Sequence, residues 1–199
     1  MKKIILVVLI SISFAGCAKN PYPINIDNSN NFAGTGFLVV SVKLDASFDL
    51  FTPTRQTSYF FRTLDGRIDF VAVSNTDTNK HYGVSNSVVD FFNIPAGDYE
   101  IYTWSSLCSG GLSQWTETPK QDFSIPFRVE ENKITYLGEL IHKRDRRIYV
   151  SDMKQRDIEM AIKKYPFLSN MDILTPFSQY YTENRDVNVN ISVDTKYLK

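Results

Sequence analysis

Apolar and polar residues alternate strictly in several short segments of this chain, and this alternation limits its fold more than any other feature. In residues 122–129 every second position is Phe, Ile or Val, and the positions between them are polar or proline. Successive side chains of a β-strand point to opposite faces, so a period of two predicts a strand with one buried face. Because Pro126 cannot donate a ladder hydrogen bond, we expect this strand at a sheet edge or at a bulge.

Further strands are predicted along most of the chain. In the tract 93–99, Pro95 takes the second position and Gly97 the fourth position of a type I turn, which joins two strands as a hairpin. Residues 105–121 are predicted to form a loop. The other predicted strands cover residues 38–44, 57–64, 67–74, 88–92, 99–104, 134–141, 147–150 and 187–193.

One helix is predicted near the C-terminus, from Asp152 to Tyr165. Asp152 can accept a capping hydrogen bond, Gln155 follows it, an apolar stripe comes next, and Pro166 ends the segment. With 199 residues, 43% of them hydrophobic, we expect one domain with its own core. The pattern therefore predicts a mainly β fold, a single antiparallel β-sandwich with one C-terminal helix covering it.

The N-terminus carries the regions of a bacterial export signal. Two lysines follow Met1, and residues 4–14 form an apolar run well short of the roughly 20 residues that a membrane-spanning helix needs. The tract Phe14-Ala15-Gly16-Cys17 resembles the lipobox of bacterial lipoproteins. This resemblance implies that residues 1–16 are removed and that the thiol of Cys17 carries a lipid. An ordinary signal peptide or a buried strand is the alternative interpretation.

The export signal sets the expected organisation of the chain. Residues 1–16 form a signal peptide, and residues 17–33, rich in Pro and Asn and without a regular period, form a lipidated N-terminus and flexible tether. Residues 34–199 form the β-sandwich domain with the helix at about 152–165. Ala18, rather than Asp, after the cysteine indicates anchoring in the outer membrane, with the domain facing the periplasm or the cell surface.

Cysteine usage agrees with a lipid anchor. The chain has only Cys17 and Cys108, so acylation of Cys17 leaves Cys108 without an intramolecular disulfide partner. A disulfide between the two is the rival interpretation, and it would remove the anchor.

Two tracts carry a wider resemblance. They are Ile-Pro-Ala-Gly-Asp-Tyr-Glu-Ile at 94–101, and Ile-Pro-Phe-Arg-Val at 125–129 followed by Ile-Thr-Tyr-Leu-Gly at 134–138. Together they resemble an uncharacterised family of bacterial lipoproteins with a Pro-Pro-Gly-Lys-Tyr type turn and a Gly-Glu-Ile-Thr-Tyr-Leu-Gly type strand. Ala96 and the pair 132–133 depart from that pattern within turns. The resemblance implies a sandwich of the transthyretin, carboxypeptidase-regulatory or immunoglobulin-like kind over residues 34–150, and it carries no activity.

For each possible catalytic or metal site, an ordinary structural role explains the residues better. Cys108 could act as a nucleophile with His81 or His142, but no local signature joins them, and a loop or partly buried thiol is favoured. The tract 75–79 spaces oxygen ligands like the start of a calcium loop, yet a lysine follows where that loop needs glycine, which favours a polar turn. We predict no catalytic residue, no cofactor and no metal.

A binding surface is predicted instead near the middle of the chain. The basic tract 142–147 could contact anionic lipid, lipopolysaccharide phosphate or peptidoglycan carboxylates, although a solvated turn is favoured. Two tryptophans flanking the Gly-rich loop 105–114 could form a platform for a sugar ring or a partner protein, although packing in the sandwich is favoured. The candidate surface residues are Trp104, Trp115, Arg144, Arg146 and Arg147.

Charge balance narrows the expected partners. The chain has 22 basic and 22 acidic residues, so no long-range field recruits nucleic acid. The predicted function is that of a lipid-anchored cell-envelope protein with a non-catalytic binding or structural role toward an envelope protein or glycan. The alternatives are an envelope enzyme, thiol-dependent or carbohydrate-active, and an assembly lipoprotein of a secretion apparatus.

Overall fold

Most of the described chain lies in two β-sheets. The computed structural model describes residues 33–44, 54–73, 87–110, 113–143, 146–181, 186–187 and 193–198. The expected signal peptide and all but the last residue of the expected tether therefore lie outside the described residues, as do His81, Arg144 and the tract 75–79.

Among the described residues, each sheet has six strands. Sheet A contains, in spatial order, β11 (Asp186–Val187), β9 (Ile148–Ser151), β8 (Ile134–His142), β1 (Thr35–Leu44) and β4 (Ser87–Pro95), with β10 (Ile173–Leu174) beside β8. Sheet B contains β12 (Val193–Leu198), β6 (Ser113–Pro119), β5 (Gly97–Gly110), β2 (Thr54–Thr63) and β3 (Asp69–Val73), with β7 (Ile125–Val129) beside β5. The prediction of a mainly β fold is confirmed.

The helical part has one element more than predicted. α1 (Lys154–Lys164) matches the predicted helix, and the Asp152 carboxylate accepts a hydrogen bond from the Lys154 N–H at 2.9 Å. Pro166 ends it and starts a 3-10 turn over Pro166–Asn170. A second helix of a single turn, α2 (Ser178–Tyr181), follows. The prediction of one C-terminal helix is therefore wrong, because a turn this short has no periodic pattern to detect.

Two other sequence predictions are wrong. Sheet A is mixed rather than antiparallel, since β1 runs parallel to β8, and no local pattern encodes such a distant pairing. The predicted loop 105–121 is instead the end of β5 followed by β6, which pair as a hairpin. Small polar residues on both faces of this hairpin hide its alternation. Pro126 lies in β7, whose partner among the described strands is β5, as an edge strand requires.

Two apolar clusters hold these elements together. The larger cluster contains inward-facing residues of both sheets, such as Leu38 and Val40 of β1 with Tyr59 and Phe61 of β2. The second cluster lies on the outer side of sheet A, where residues of β1, β4 and β8 pack against α1. Each large apolar side chain that is fully buried contributes about 1.5–3 kcal/mol relative to an exposed one. Sheet A is thus buried on both faces, and α1 supplies the cover on its outer side.

β8 contains a bulge that changes which residues face outward. Two steps along β1, from Val39 to Ser41, span three steps along β8, from Tyr136 to Glu139. Gly138 lies within the bulge with a φ of +99°, which residues with a side chain rarely adopt. An unbroken strand places residues three apart on opposite faces. Because of the bulge, Tyr136 and Glu139 both face the outer side of sheet A, toward α1.

The chain enters the two sheets at one end. The Gly34 N–H donates to Glu131 Oε1 at 2.8 Å, the Ala96 N–H donates to the Gly34 carbonyl at 2.8 Å, and the Asn132 N–H donates to the Thr35 carbonyl at 2.9 Å. We call this the Gly34 end. β1 and the parallel strand β8 both run away from Gly34, so the β8–β9 connection lies at the opposite end. β5 starts at Gly97, directly after Ala96, which bonds to Gly34, so the β5–β6 connection lies at the opposite end as well.

Candidate functional site

Trp104 does not lie on the surface, where the sequence analysis placed a candidate platform. Its side chain is 0% exposed, and its ring meets that of His142 with centroids 4.3 Å apart. Packing inside the molecule, the favoured alternative, is therefore what the structure shows for this residue. A buried ring has no face left for a sugar or a partner protein.

The remaining predicted surface residues are partly brought together. Trp115 of β6 is half-buried and pairs in register with Cys108. Arg146 Nη2 lies 3.4 Å from Glu117 Oε1, so the β8–β9 turn reaches the strand that carries Trp115. Arg147 is exposed nearby in sequence. These residues lie at the end of the molecule opposite Gly34.

Cys108 lies in an environment that suits a structural thiol. Its side chain is 0% exposed, and its Sγ lies 3.9 Å from the Ser106 carbonyl oxygen. A nucleophilic thiol needs access to its substrate and a stabilised thiolate. The sequence analysis favoured a loop or partly buried thiol, whereas Cys108 is fully buried and lies in β5. Cys17 lies outside the described residues.

A different cluster forms around a second bulge, on β5. Phe60 and Phe61 of β2 pair with Thr103 and Ile101, so Tyr102 between these two has no pairing position on β2. Bulges often redirect a side chain next to a functional site. Here the bulge places Tyr102 on the outer face of sheet B, whereas α1 and α2 pack against strands of sheet A.

Three neighbours hold the Tyr102 side chain in one orientation. The guanidinium carbon of Arg62 lies 4.2 Å from the centre of the ring. The phenol hydroxyl donates to Asp69 Oδ2 at 3.1 Å. The Phe60 ring meets it at 61° with centroids 6.3 Å apart. The ring is therefore fixed by a cation–π contact, a hydrogen bond and an aromatic contact, yet it stays partly exposed.

Two carboxylates bind Arg62: Glu100 from the paired position on β5 and Asp122 from the segment before β7. Arg62 Nε donates to Glu100 Oε1 at 2.7 Å, and Arg62 Nη1 donates to Asp122 Oδ2 at 3.3 Å. The Tyr102 carbonyl accepts a hydrogen bond from the Phe123 N–H at 2.9 Å, which fixes the segment that carries Asp122. We call this group the Arg62 cluster, and its members are Phe60, Arg62, Asp69, Glu100, Tyr102 and Asp122.

Arg62 and Tyr102 both keep their protons at physiological pH and can therefore donate hydrogen bonds. The hydrogen bond to Glu100 raises the pKa of Arg62, which stays cationic. Burial, followed by the Asp69 carboxylate, raises the pKa of Tyr102 to about 12, so the phenol is a neutral donor at physiological pH. One guanidinium against three carboxylates leaves a formal charge of −2 on the cluster.

A second charged network lies under α1 and has a structural character. Arg156 Nε lies 2.7 Å from Asp157 Oδ1, and its Nη1 lies 3.0 Å from Glu139 Oε1. Ser41 and Tyr136 donate to the second oxygen of Asp157 at 2.7 and 3.0 Å. Both carboxylates are 0% exposed. Burial, followed by the Asp157 charge, raises the pKa of Tyr136, so it remains a donor. The network fastens α1 to sheet A.

Sequence reasoning missed the Arg62 cluster because its members come from β2, β3, β5 and the segment before β7. One signal was present nonetheless. The inward-facing residues Tyr99 and Ile101 are two apart, but the next, Trp104, is three further on. A change from a spacing of two to a spacing of three within a strand indicates a bulge.

The described residues contain neither a metal-binding cluster nor a membrane-spanning helix. Within the described ranges, three or more His, Cys, Asp or Glu side chains never come together closely enough to hold a metal ion. Across the part of the chain that the structure describes, no helix has the length and apolar character needed to cross a membrane.

Fold and site together define a mainly β protein in which the described helices pack against sheet A and not against sheet B. No protein-family model and no curated protein matches the chain. Among solved structures, a leucine-rich repeat protein from Bacteroides thetaiotaomicron matches 53% of this chain and 13% of its own, with 14% identity and a TM-score of 0.32. The resemblance to a family of bacterial lipoproteins stays a prediction.

Proposed function

We propose that this protein is a bacterial envelope lipoprotein that is anchored through a lipid on Cys17 and binds a partner without catalysis. The outer membrane is the proposed location, from Ala18 after the lipidated cysteine. The proposed fold of the domain is a β-sandwich of the transthyretin or immunoglobulin type. This assignment is supported by the single apolar cluster to which both sheets contribute.

The observation that carries the proposal is the position of Gly34. Two backbone–backbone hydrogen bonds and one from the Gly34 N–H to the Glu131 carboxylate fix the start of the domain at one end, so a lipid attached upstream would hold that end toward the membrane. The 17 residues from Cys17 to Ala33 could span at most about 60 Å when fully extended. The outer face of sheet B and the β8–β9 turn with Arg146, at the end opposite Gly34, would then point away from the membrane and be accessible to a partner.

A non-catalytic role is supported by where the reactive groups lie. The Cys108 thiol is buried, and the buried carboxylates Glu139 and Asp157 are bound to Arg156. Cys108→Ala should therefore leave every cellular phenotype of the protein unchanged. Loss of the phenotype in a folded Cys108→Ala variant would instead favour a thiol-dependent enzyme.

The anchor is tested by mass spectrometry of the mature protein from bacterial membranes. We expect residue 17 at the N-terminus with a diacylglycerol on its sulfur. The matched variant Cys17→Ser keeps the export signal but removes the acceptor sulfur, so it should lose lipid and leave the membrane fraction. An unmodified Cys17, or cleavage at another position, would contradict the proposal.

A further inference from the structure

We propose that the Arg62 cluster binds an uncharged glycan, a chain of pyranose rings, on the outer face of sheet B. This inference rests on the binding role proposed above and names the class of its ligand. It replaces the tryptophan platform that the sequence suggested, because Trp104 is buried and Tyr102, two residues earlier, lies on the outer face.

The aromatic part of the cluster suits the apolar face of a sugar ring. The C–H bonds on one side of a pyranose form an apolar patch that packs against an aromatic ring, while its hydroxyls remain at the edges. Tyr102 and Phe60 supply two partly exposed rings in contact with each other. Arg62 and Asp69 already fix the Tyr102 ring, so little side-chain entropy would be lost when a ligand packs on it.

The polar part of the cluster suits the edges of the same ring. A sugar hydroxyl both donates and accepts, so neighbouring hydroxyls are best met by a donor beside an acceptor. Arg62 lies between Glu100 and Asp122, and its five N–H donors exceed the two used in these contacts. Asp122 is 54% exposed, so its carboxylate is accessible to a ligand. Donors and acceptors therefore alternate beside the rings.

The charge of the cluster argues against anionic ligands. Three carboxylates against one guanidinium leave −2, which repels phosphate groups, uronic acids and nucleic acid. The basic residues Arg146 and Arg147 belong to the β8–β9 turn at the end opposite Gly34. The face that holds the aromatic rings is thus the one suited to an uncharged chain.

Sheet A provides a matched control for this argument. Lys143 Nζ lies 3.7 Å from the centre of the Tyr149 ring, a cation–π pair like that of Arg62 and Tyr102. This pair sits at the β8–β9 turn, outside the Arg62 cluster. If any exposed aromatic residue could bind sugar, Tyr149 should contribute as much as Tyr102.

The experiment uses the full mature lipoprotein in detergent micelles and isothermal titration calorimetry. The probes are maltohexaose, cellohexaose, mannohexaose and chitohexaose. We expect at least one of them to bind, and Tyr102→Ala and Arg62→Met to weaken that binding at least about tenfold. Tyr149→Ala should leave the affinity unchanged. Circular dichroism checks that each variant folds, and Tyr102→Phe, which keeps the ring, provides a milder second variant with a smaller loss.

Each other result would overturn the glycan proposal. Failure of all four hexasaccharides to bind, or equal losses in Tyr102→Ala and Tyr149→Ala, would exclude a sugar site at the cluster. Binding of a lysine-rich peptide in preference to the sugars would assign the face to a cationic protein segment. These results leave the lipid anchor intact, whereas an unmodified Cys17 removes the anchor without affecting sugar binding in micelles.

Discussion

The structure contains a bulge at Gly138 in sheet A and a bulge at Tyr102 in sheet B. The two bulges have the same geometry, but the first is buried and the second is partly exposed. Each inserts one residue and changes which side chains face outward. In sheet A the redirected carboxylate, Glu139, lies under α1 and is 0% exposed. In sheet B the redirected ring, Tyr102, lies on a face where Arg62 remains 34% exposed.

The difference shows how burial decides what an arginine and its carboxylates do. Under α1, Arg156 is needed because leaving buried carboxylates without their partner is costly. On sheet B, Glu100 is also buried, with 8% of its side chain exposed, but Arg62 is 34% and Asp122 54% exposed. Water therefore solvates much of this network, and its ion pairs contribute less to stability than those under α1. An exposed group that stability requires less is more available for binding, and this is why the exposed bulge is the better candidate site.

The largest effect is expected from Gly138→Ala, which disrupts the buried bulge. A Cβ there would lie 2.6 Å from Val150 Cγ1 and 2.9 Å from Tyr181 Cε1, and the φ of +99° adds strain. Overpacking and strain together should lower the free energy of unfolding by about 4 kcal/mol. Urea denaturation measures this loss in the free energy of unfolding. Gly66→Ala is the control, because its φ is +70° with nothing within 4 Å, and it should cost about 1 kcal/mol. Equal losses would mean that contact with Val150 and Tyr181 is unimportant.

A smaller effect separates the two arginines directly. Arg156→Met leaves Glu139 and Asp157 buried without their guanidinium and should cost about 3 kcal/mol. Arg62→Met leaves one carboxylate, Glu100, largely buried without its guanidinium, while Arg62 itself is 34% exposed and Asp122 54% exposed, so this substitution should cost less, about 1 kcal/mol. Both values come from urea denaturation at neutral pH. The comparison between the buried and the open network would fail if the two variants lost the same stability.

Local patterns predicted those parts of the fold that depend on local chemistry. The alternation before Val129, the turn at Pro95 and Gly97, and the helix that ends before Pro166 each rest on a few neighbouring residues. The parallel pairing of β1 with β8 was beyond reach, because it joins segments almost a hundred residues apart. The β5–β6 hairpin was missed because its strands carry polar residues on both faces.

The candidate site was the least predictable part, for the same reason. Arg62 and Tyr102 come from different strands, and the contact between them depends on the register of the β2–β5 pair. Exposure was also not encoded locally, since Trp104 and Tyr102 are both aromatic residues of one strand and only the bulge decides which faces outward. In the sequence, each bulge corresponds to a spacing of three, in place of two, between successive inward-facing residues.

The smallest effect on stability at neutral pH is expected from Tyr102→Phe. Titration of this variant beside the parent protein tests how far the bulge in sheet B buries Tyr102. Burial and Asp69 raise the pKa of Tyr102 to about 12, so the folded protein favours the neutral phenol. Its contribution is fully present below pH 10, the pKa of an unfolded tyrosine, and is lost as the pH rises through about 12. The difference in phenolate absorbance between the parent protein and Tyr102→Phe should have its midpoint near 12. Asp69→Asn should lower that midpoint only in part, because burial is the larger cause. A midpoint at the ordinary value would mean that the bulge leaves Tyr102 fully solvated and does not hold it against Asp69 and Arg62.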